Sequence, residues 1–242
     1  MRLLAFETAT RRISVALWLD GELHDHSADL PNSGSEILLP WANELLATAG
    51  ISLKQLDGIA FGAGPGGFTG LRLACGVTQG LAWGLGIPVV PVSTLAALAL
   101  AAVEANTEVS EESLVWAVLD ARMNEVYSAT YCVVGGVTGG AVKEVSAPVC
   151  AAPAAIAVLP APTLDGRIGI GDGFAAYPEL QQLAPNIRYI PDQWPTAAAV
   201  ARLGARALAN GEGVPAQAAQ PIYVRDKVAL TTAERLARGG VR

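Results

Sequence analysis

Between Phe61 and Arg72 the chain reads Phe-Gly-Ala-Gly-Pro-Gly-Gly-Phe-Thr-Gly-Leu-Arg, with glycine at four of the six positions from Gly62 to Gly67. Removing Cβ this often lets another stretch of backbone come close and opens positive φ to the chain. A short apolar strand pattern, Gly58 to Phe61, precedes the run, and a helical pattern, Leu71 to Leu85, follows it. A glycine-rich turn from strand to helix presents backbone N–H groups and the positive end of the helix dipole. Gly64 and Gly66 are therefore candidates for a phosphate cradle, and equally for a tightly packed structural turn. A Walker A loop is excluded, because no Lys-Ser/Thr pair follows the last glycine.

The helix after the loop carries Gly76, Gly80 and Gly84 at intervals of four, so they share one face. Each is worse than alanine by about 1 kcal/mol in a helix interior, which predicts close approach of a second helix along that face. The spacing does not say whether that helix belongs to this chain or another. It resembles the small-xxx-small faces of membrane helices, but Arg72, Thr78 and Gln79 argue against a span.

With 242 residues, 52% of them hydrophobic, the chain has ample material for one large domain or two small ones. A net charge of −6 and a pI near 4.9 make it a poor candidate for gripping nucleic acid directly. Three widely spaced cysteines fit a reducing compartment better than a disulfide framework. Glu7 interrupts the first apolar stretch before a signal peptide could form, and Pro88, Pro91, Ser93 and Thr94 break the most membrane-like window, Leu85 to Val103. The expectation is a soluble cytoplasmic protein.

Leu3 to Phe6 reads as a strand, Glu7 to Arg12 as a polar turn, and Ile13 to Leu17 as a second strand of period two. Asp20-Gly21 is a hairpin signal that returns the chain through Glu22 to Ser27. Ser33 and Glu36 form a capping box for a helix through Leu38, Trp41, Leu45 and Leu46 that ends at Gly50, with Pro40 near its start. A strand at Pro88 to Val92 and an Ala/Leu-rich helix to about Glu104 follow the glycine loop and its helix. The polar stretch Asn106 to Ser113 reads as a linker, after which the opening pattern repeats. Strands are expected at Leu114 to Leu119, Glu125 to Val134 and Ala141 to Val149, with turns at Asp120 to Asn124 and Gly135 to Gly140. Arg167 to Ile170 then runs into the glycine turn Gly171-Asp172-Gly173 and a helical segment at Tyr177. Thr196 to Asn210 reads as a helix closed by Gly211. Glu7 and Asp120 occupy the same place in the two copies. This order predicts an α/β protein with the duplicated fold of the actin, sugar kinase and Hsp70 ATPase group. It has two mixed-sheet subdomains, 1–105 and 106–242, and its last helix may return to the first of them.

Phe6-Glu7-Thr8-Ala9-Thr10, Ser14 to Leu17, Gly64 to Arg72, Val92 to Leu95, Asp120-Ala121-Arg122-Met123-Asn124-Glu125-Val126-Tyr127, Gly171-Asp172-Gly173 and Pro221-Ile222-Tyr223-Val224-Arg225 follow in order. Together they resemble the bacterial TsaB (YeaZ) family, over nearly the whole chain. The resemblance implies an inactive paralogue of the catalytic subunit TsaD. Such a protein pairs with TsaD, is joined by the ATPase TsaE, and serves threonylcarbamoyladenosine synthesis beside the anticodon of tRNAs that read A-starting codons. The acidic balance of the chain predicts tRNA contact only through the complex, and a self-complementary partner face predicts a homodimer when the chain is alone. The catalytic relatives hold a metal through a His-x-x-x-His pair on the helix after Val89 to Val92; here that helix reads Ser93 to Ala99 with no strong ligand. His24 and His26 share a strand face with no nearby Cys, so neither a metal site nor catalytic residues are expected. The sequence departs from the family pattern at Glu7, where Asp is usual, and at Gly67, where Ser is usual.

The expected partner face comprises Leu38, Trp41, Leu45, Phe68, Leu71, Arg72, Gly76, Gly80 and Trp83, with the aromatic residues as anchors. A weaker set, Glu7, Thr8, Thr10, Gly64, Gly66, Asp120, Gly171 and Asp172, is where a nucleotide would touch. The favoured reading of Thr8 and Thr10 is that they bond their own turn. No cofactor is required of this chain, and ATP or ADP is expected only at the partner interface. The competing reading is an independent ATP-binding or ATP-hydrolysing enzyme using Glu7, Asp120 and Asp172. A peptidase would need a metal pair or nucleophile–base set that the sequence lacks.

Overall fold

A computed structural model describes residues 1–30, 34–105, 111–134, 141–157, 167–184 and 187–225. The first lobe runs β1 (Arg2–Glu7), β2 (Arg12–Leu19), β3 (Glu22–Asp29), α1 (Leu38–Thr48), β4 (Gly58–Gly64), α2 (Phe68–Leu85), β5 (Val89–Ser93) and α3 (Thr94–Ala105). The second runs β6 (Leu114–Arg122), β7 (Glu125–Val134), β8 (Ala141–Ala151), β9 (Arg167–Ile170), α4 (Gly173–Ala176), α5 (Leu180–Leu183), β10 (Arg188–Ile190) and α6 (Ala197–Ala209). The strand orders are β3-β2-β1-β4-β5 and β8-β7-β6-β9-β10, so each position in one sheet has its counterpart in the other. The first three strands of each lobe are antiparallel, and the last two join in parallel. This is the expected duplicated α/β fold of the actin group.

Strict alternation in β1 explains how the layers form. Leu4 and Phe6 point to a core with Val15, Leu17, Ile59, Phe61 and the inner faces of α1 and α2. Leu3 and Ala5 point the other way, to a core built around α3 and α6. That second core also takes Val115, Ala117, Leu119 and Tyr131 from the other sheet, so the two lobes share it. A third cluster, Trp116, Val118, Phe174 and Leu180, covers the far face of the second sheet. α6 lies against β1, β2 and β4 of the first lobe. Its opening N–H groups are satisfied: Ala197 N donates to Ser14 Oγ of β2 at 2.8 Å, and Ala199 N donates to the Thr196 cap at 3.1 Å.

Asp20 and Gly21 both have positive φ, as a tight hairpin between right-twisted strands requires. Other local expectations shift. α2 begins at Phe68, three residues before the apolar period, because Gly67 ends the loop as its N-cap. The N-cap of α1 is Ile37 and has no side-chain cap, with Glu36 in a preceding 3₁₀ turn; the capping box is therefore not at this helix, and Ser33 lies outside the described residues. Tyr177 is the C-cap of the short α4 rather than part of a longer helix. The turn at 135–140 and most of the 106–113 stretch also lie outside the described residues. Among the described residues no helix is long and apolar enough to cross a membrane.

Candidate functional site

The glycine loop packs down onto the turn that follows β1. Gly67 N donates to Ala9 O at 2.7 Å, and Thr8 Oγ1 donates to Gly70 O at 2.7 Å. A Cβ on Gly70 would lie 1.8 Å from Thr8 O, and one on Gly66 would lie 2.6 Å from Ala9 Cβ. These glycines serve contact between two stretches of the same chain. Thr10 bonds its own turn, with Oγ1 accepting from Arg12 N at 3.3 Å. Glu7 lies beneath the loop, wholly buried. Its Oε1 accepts from Ala9 N at 2.7 Å, and its Oε2 faces Thr94 Oγ1 at 3.4 Å. Thr94 Oγ1 in turn accepts from Gly64 N at 3.1 Å. Burial pushes the Glu7 carboxyl up to about 7, and the bonds from Ala9 and Thr94 only partly oppose it.

A cleft of about 760 Å³ separates this turn from the second lobe. Thr8, Thr10, Gly66, Asp120 and Asp172 line it; Glu7, Gly64 and Gly171 do not. Gly64 is covered by Ile222, whose carbonyl would sit 2.7 Å from a Cβ there. Gly171, at φ +110, lies against β6, where a Cβ would meet Val118 O at 2.1 Å. None of these three is therefore placed for nucleotide contact, contrary to expectation: close packing explains Gly64 and Gly171, and Glu7 is buried beneath the loop. On the far wall Asp120 accepts from Arg122 N at 2.8 Å and from Tyr177 Oη at 3.3 Å, and pairs with the Arg122 guanidinium at 2.9 Å. Asp172 accepts from Asp120 N at 2.9 Å; burial, with the neighbouring Asp120 charge, raises its carboxyl above the usual range. Among the described residues no group of three or more His, Cys, Asp and Glu could hold one metal ion. His26 instead faces Trp41 and Glu44 of α1.

The expected partner face divides in two. Leu38 and Leu45 are buried in the first lobe's core, and Leu71 is buried under the glycine loop. They are corrected from interface to core: the apolar stripe that marks an amphipathic helix marks its inward side. Trp41 is half-buried against His26. The outer face of α2 is different. Phe68 is 46% exposed and Trp83 67% exposed, and Arg72, Gly76, Gly80 and Gly84 are exposed on the same helix. A Cβ on any of these three glycines would meet nothing within 4 Å. The helix predicted to approach them is therefore not among the described residues of this chain. Sequence reasoning left out Leu39, Met123 and Tyr223, all exposed, and Thr94, the hydroxyl partner of Glu7. Exposed apolar residues outside a periodic stripe carry no local signal, and the Glu7–Thr94 contact spans 87 residues.

The fold and this arrangement match known proteins. The family model "TsaD: tRNA N6-adenosine threonylcarbamoyltransferase" fits residues 32–230. The tRNA threonylcarbamoyladenosine biosynthesis protein TsaB of Escherichia coli is 34% identical over 239 residues, covering 95% of this chain and 96% of that protein. Its Haemophilus influenzae counterpart is 35% identical, covering 94% and 95%. Two solved Pseudomonas aeruginosa structures superpose closely. One, described as similar to the peptidase YeaZ, has a TM-score of 0.82 at 37% identity, covering 93% of this chain and 99% of that one. The other, YeaZ, has a TM-score of 0.80 at 36% identity, covering 92% and 99%. The class is thus that of the TsaD-related α/β proteins. Within it, the chain belongs to the TsaB (YeaZ) family of tRNA threonylcarbamoyladenosine biosynthesis proteins.

Proposed function

We propose that this chain is a non-catalytic partner subunit that binds TsaD and activates it for threonylcarbamoylation of the adenosine beside the anticodon in tRNAs reading A-starting codons. The observation that carries the reading is the outer face of α2, where three glycines with open space above them share the surface with exposed Phe68 and Trp83. A soluble helix that keeps glycine at solvent-facing interior positions loses stability and gains nothing alone. A second helix seated there would use the clearance, and the flanking aromatics are the residue types that anchor interfaces. In this reading TsaE joins the pair, tRNA is met only through the complex, and the same face forms a homodimer when TsaD is absent. The assembly works in the cytoplasm. The chain needs no cofactor of its own, and ATP or ADP, where used, binds at the boundary with TsaD.

The covered Glu7, Thr8 bonded to the glycine loop and Thr10 bonded to its own turn favour this reading over an independent ATPase, whose cleft would need them free. The test is threonylcarbamoyl transfer in a reconstitution of TsaD, TsaE, threonylcarbamoyl-adenylate and tRNA, with and without this chain. Modification that requires the chain, with no ATP turnover by the chain alone, is the expected result; modification at full rate without it overturns the reading. Gly80→Leu should weaken TsaD binding by about tenfold or more, which is about 1.4 kcal/mol, while the melting temperature stays close to wild type.

A further inference from the structure

The segment Pro221–Arg225 has no regular secondary structure, yet it ties the two lobes together across the cleft. At its start Ile222 N donates to Ala63 O of β4 at 2.7 Å. Next, Tyr223 Oη accepts from Arg72 Nε of α2 at 3.2 Å, and its ring lies 5.9 Å from that of Phe68. The Arg72 guanidinium covers the Phe68 ring at 4.0 Å, so Phe68, Arg72 and Tyr223 form one exposed stack. Two residues on, Arg225 reaches the second lobe. Its Nη2 donates to Ala121 O at 2.7 Å and Arg122 O at 3.3 Å, and pairs with Glu125 at 2.7 Å. The guanidinium also lies 5.8 Å from the Tyr127 ring.

The turn that Arg225 holds is unusual. Arg122, Met123 and Asn124 have φ of 61, 57 and 60°, three consecutive non-glycine residues in the left-handed region. Of these only Asn accepts that region readily; for Arg and Met the Cβ crowds the following carbonyl. Such a conformation persists where surrounding bonds over-determine it. Here one guanidinium, on a side chain only 15% exposed, ties down the carbonyls of Ala121 and Arg122 and the carboxylate of Glu125, residues on both arms of the turn. Beyond it Met123 stands 69% exposed.

We propose that Pro221–Arg225 is a clasp that couples the start of α2 to the β6–β7 turn: a protein seated on Phe68 and Arg72 tightens the backbone of residues 121–125 through Tyr223 and Arg225. This rests on the reading that the outer face of α2 receives TsaD. The stack is the clasp's exposed end, since Phe68 and Tyr223 are each about half exposed. The Arg225 contacts are its less exposed end. Covering the first restricts the second because only Val224 separates Tyr223 from Arg225.

Amide hydrogen exchange on the full chain tests this, free and saturated with TsaD, for wild type, Arg225→Lys and Arg225→Ala. In the free protein, Arg225→Ala should speed exchange at residues 121–126 by about tenfold or more and leave 68–83 unchanged; Arg225→Lys should fall between. Added TsaD should slow both regions in wild type, but only 68–83 in Arg225→Ala. Protection of 68–83 without protection of 121–126 in wild type overturns the clasp and leaves the partner reading intact. Protection of 121–126 that persists in Arg225→Ala means direct contact and overturns the clasp as well. Protection of neither region overturns the partner reading and, with it, the coupling. Should Arg225→Ala fail to fold, the Arg225→Lys comparison decides alone, since lysine keeps the charge toward Glu125 but lacks the planar fork.

Discussion

The two lobes place the same hairpin at the same point of the sheet, and each carries a carboxylate at or near the end of its first strand. Both carboxylates accept the backbone N–H two residues on, Ala9 N for Glu7 and Arg122 N for Asp120, at 2.7 and 2.8 Å. There the likeness stops. Glu7 extends under the glycine loop, where it meets backbone N–H and the Thr94 hydroxyl, and no cation contributes to its environment. Asp120 stays at the cleft wall beside a guanidinium and a phenol. One copy has become a covered carboxyl inside the fold, pushed up to about 7, the other an ion-paired group at its rim. A carboxylate at an equivalent position is thus no guarantee of an equivalent role, because its surroundings decide its charge.

The strongest way to break this comparison is to stop the loop closing over Glu7. Gly70→Ala puts a methyl group against Thr8 O, a backbone atom that cannot swing aside. The variant should lose about 4 kcal/mol or more, or fail to fold, when followed by urea denaturation. Glu7→Gln sharpens it. In the folded chain Glu7 keeps its proton up to about pH 7, whereas the unfolded chain releases it near 4.5. Its contribution to stability is therefore full below about 4.5 and is lost as pH rises to about 7. The glutamine variant should gain about 2 to 3 kcal/mol over wild type at pH 8 and nothing at pH 4. Parallel stability curves across that range would show that burial does not raise the Glu7 carboxyl. Asp120→Asn should have the smallest effect, under about 1 kcal/mol at pH 7, because its ion pair is with a guanidinium that is 85% exposed.

Much of the fold was legible in the sequence. Alternation in Leu3 to Phe6 and Ile13 to Leu17, the Asp20-Gly21 turn and the repeat after Leu114 are local patterns with a backbone cause. Their pairing into two matched sheets followed from duplication. The site was less legible. Leu38 and Leu45 were easy to notice because they are periodic, and periodicity selects the side that faces the core. The glycines of α2 carried the better surface signal, since nothing among the described residues explains them. Nothing in Pro221–Arg225 advertises a clasp: its contacts reach back over 100 residues to Ala121 and 151 residues to Arg72. Nor could residue type alone show that Glu7 is covered, which depends on where Gly62 and Thr94 arrive.

The position of α6 between the sheets has a consequence for how the protein is made. Helix Ala197–Ala209 completes a core that begins at Leu3, and its first N–H is held by Ser14, 183 residues upstream. During synthesis at roughly 5–20 residues per second, the first sheet would wait on the order of ten seconds or more with that apolar face uncovered. We predict that a nascent chain stopped before Ala197 binds chaperones and is cut readily by protease near β1, and that release of α6 ends both. Resistance to protease before α6 emerges would show that the first lobe closes without it. The lobes look like two inherited halves, but at the ribosome they would ripen as one.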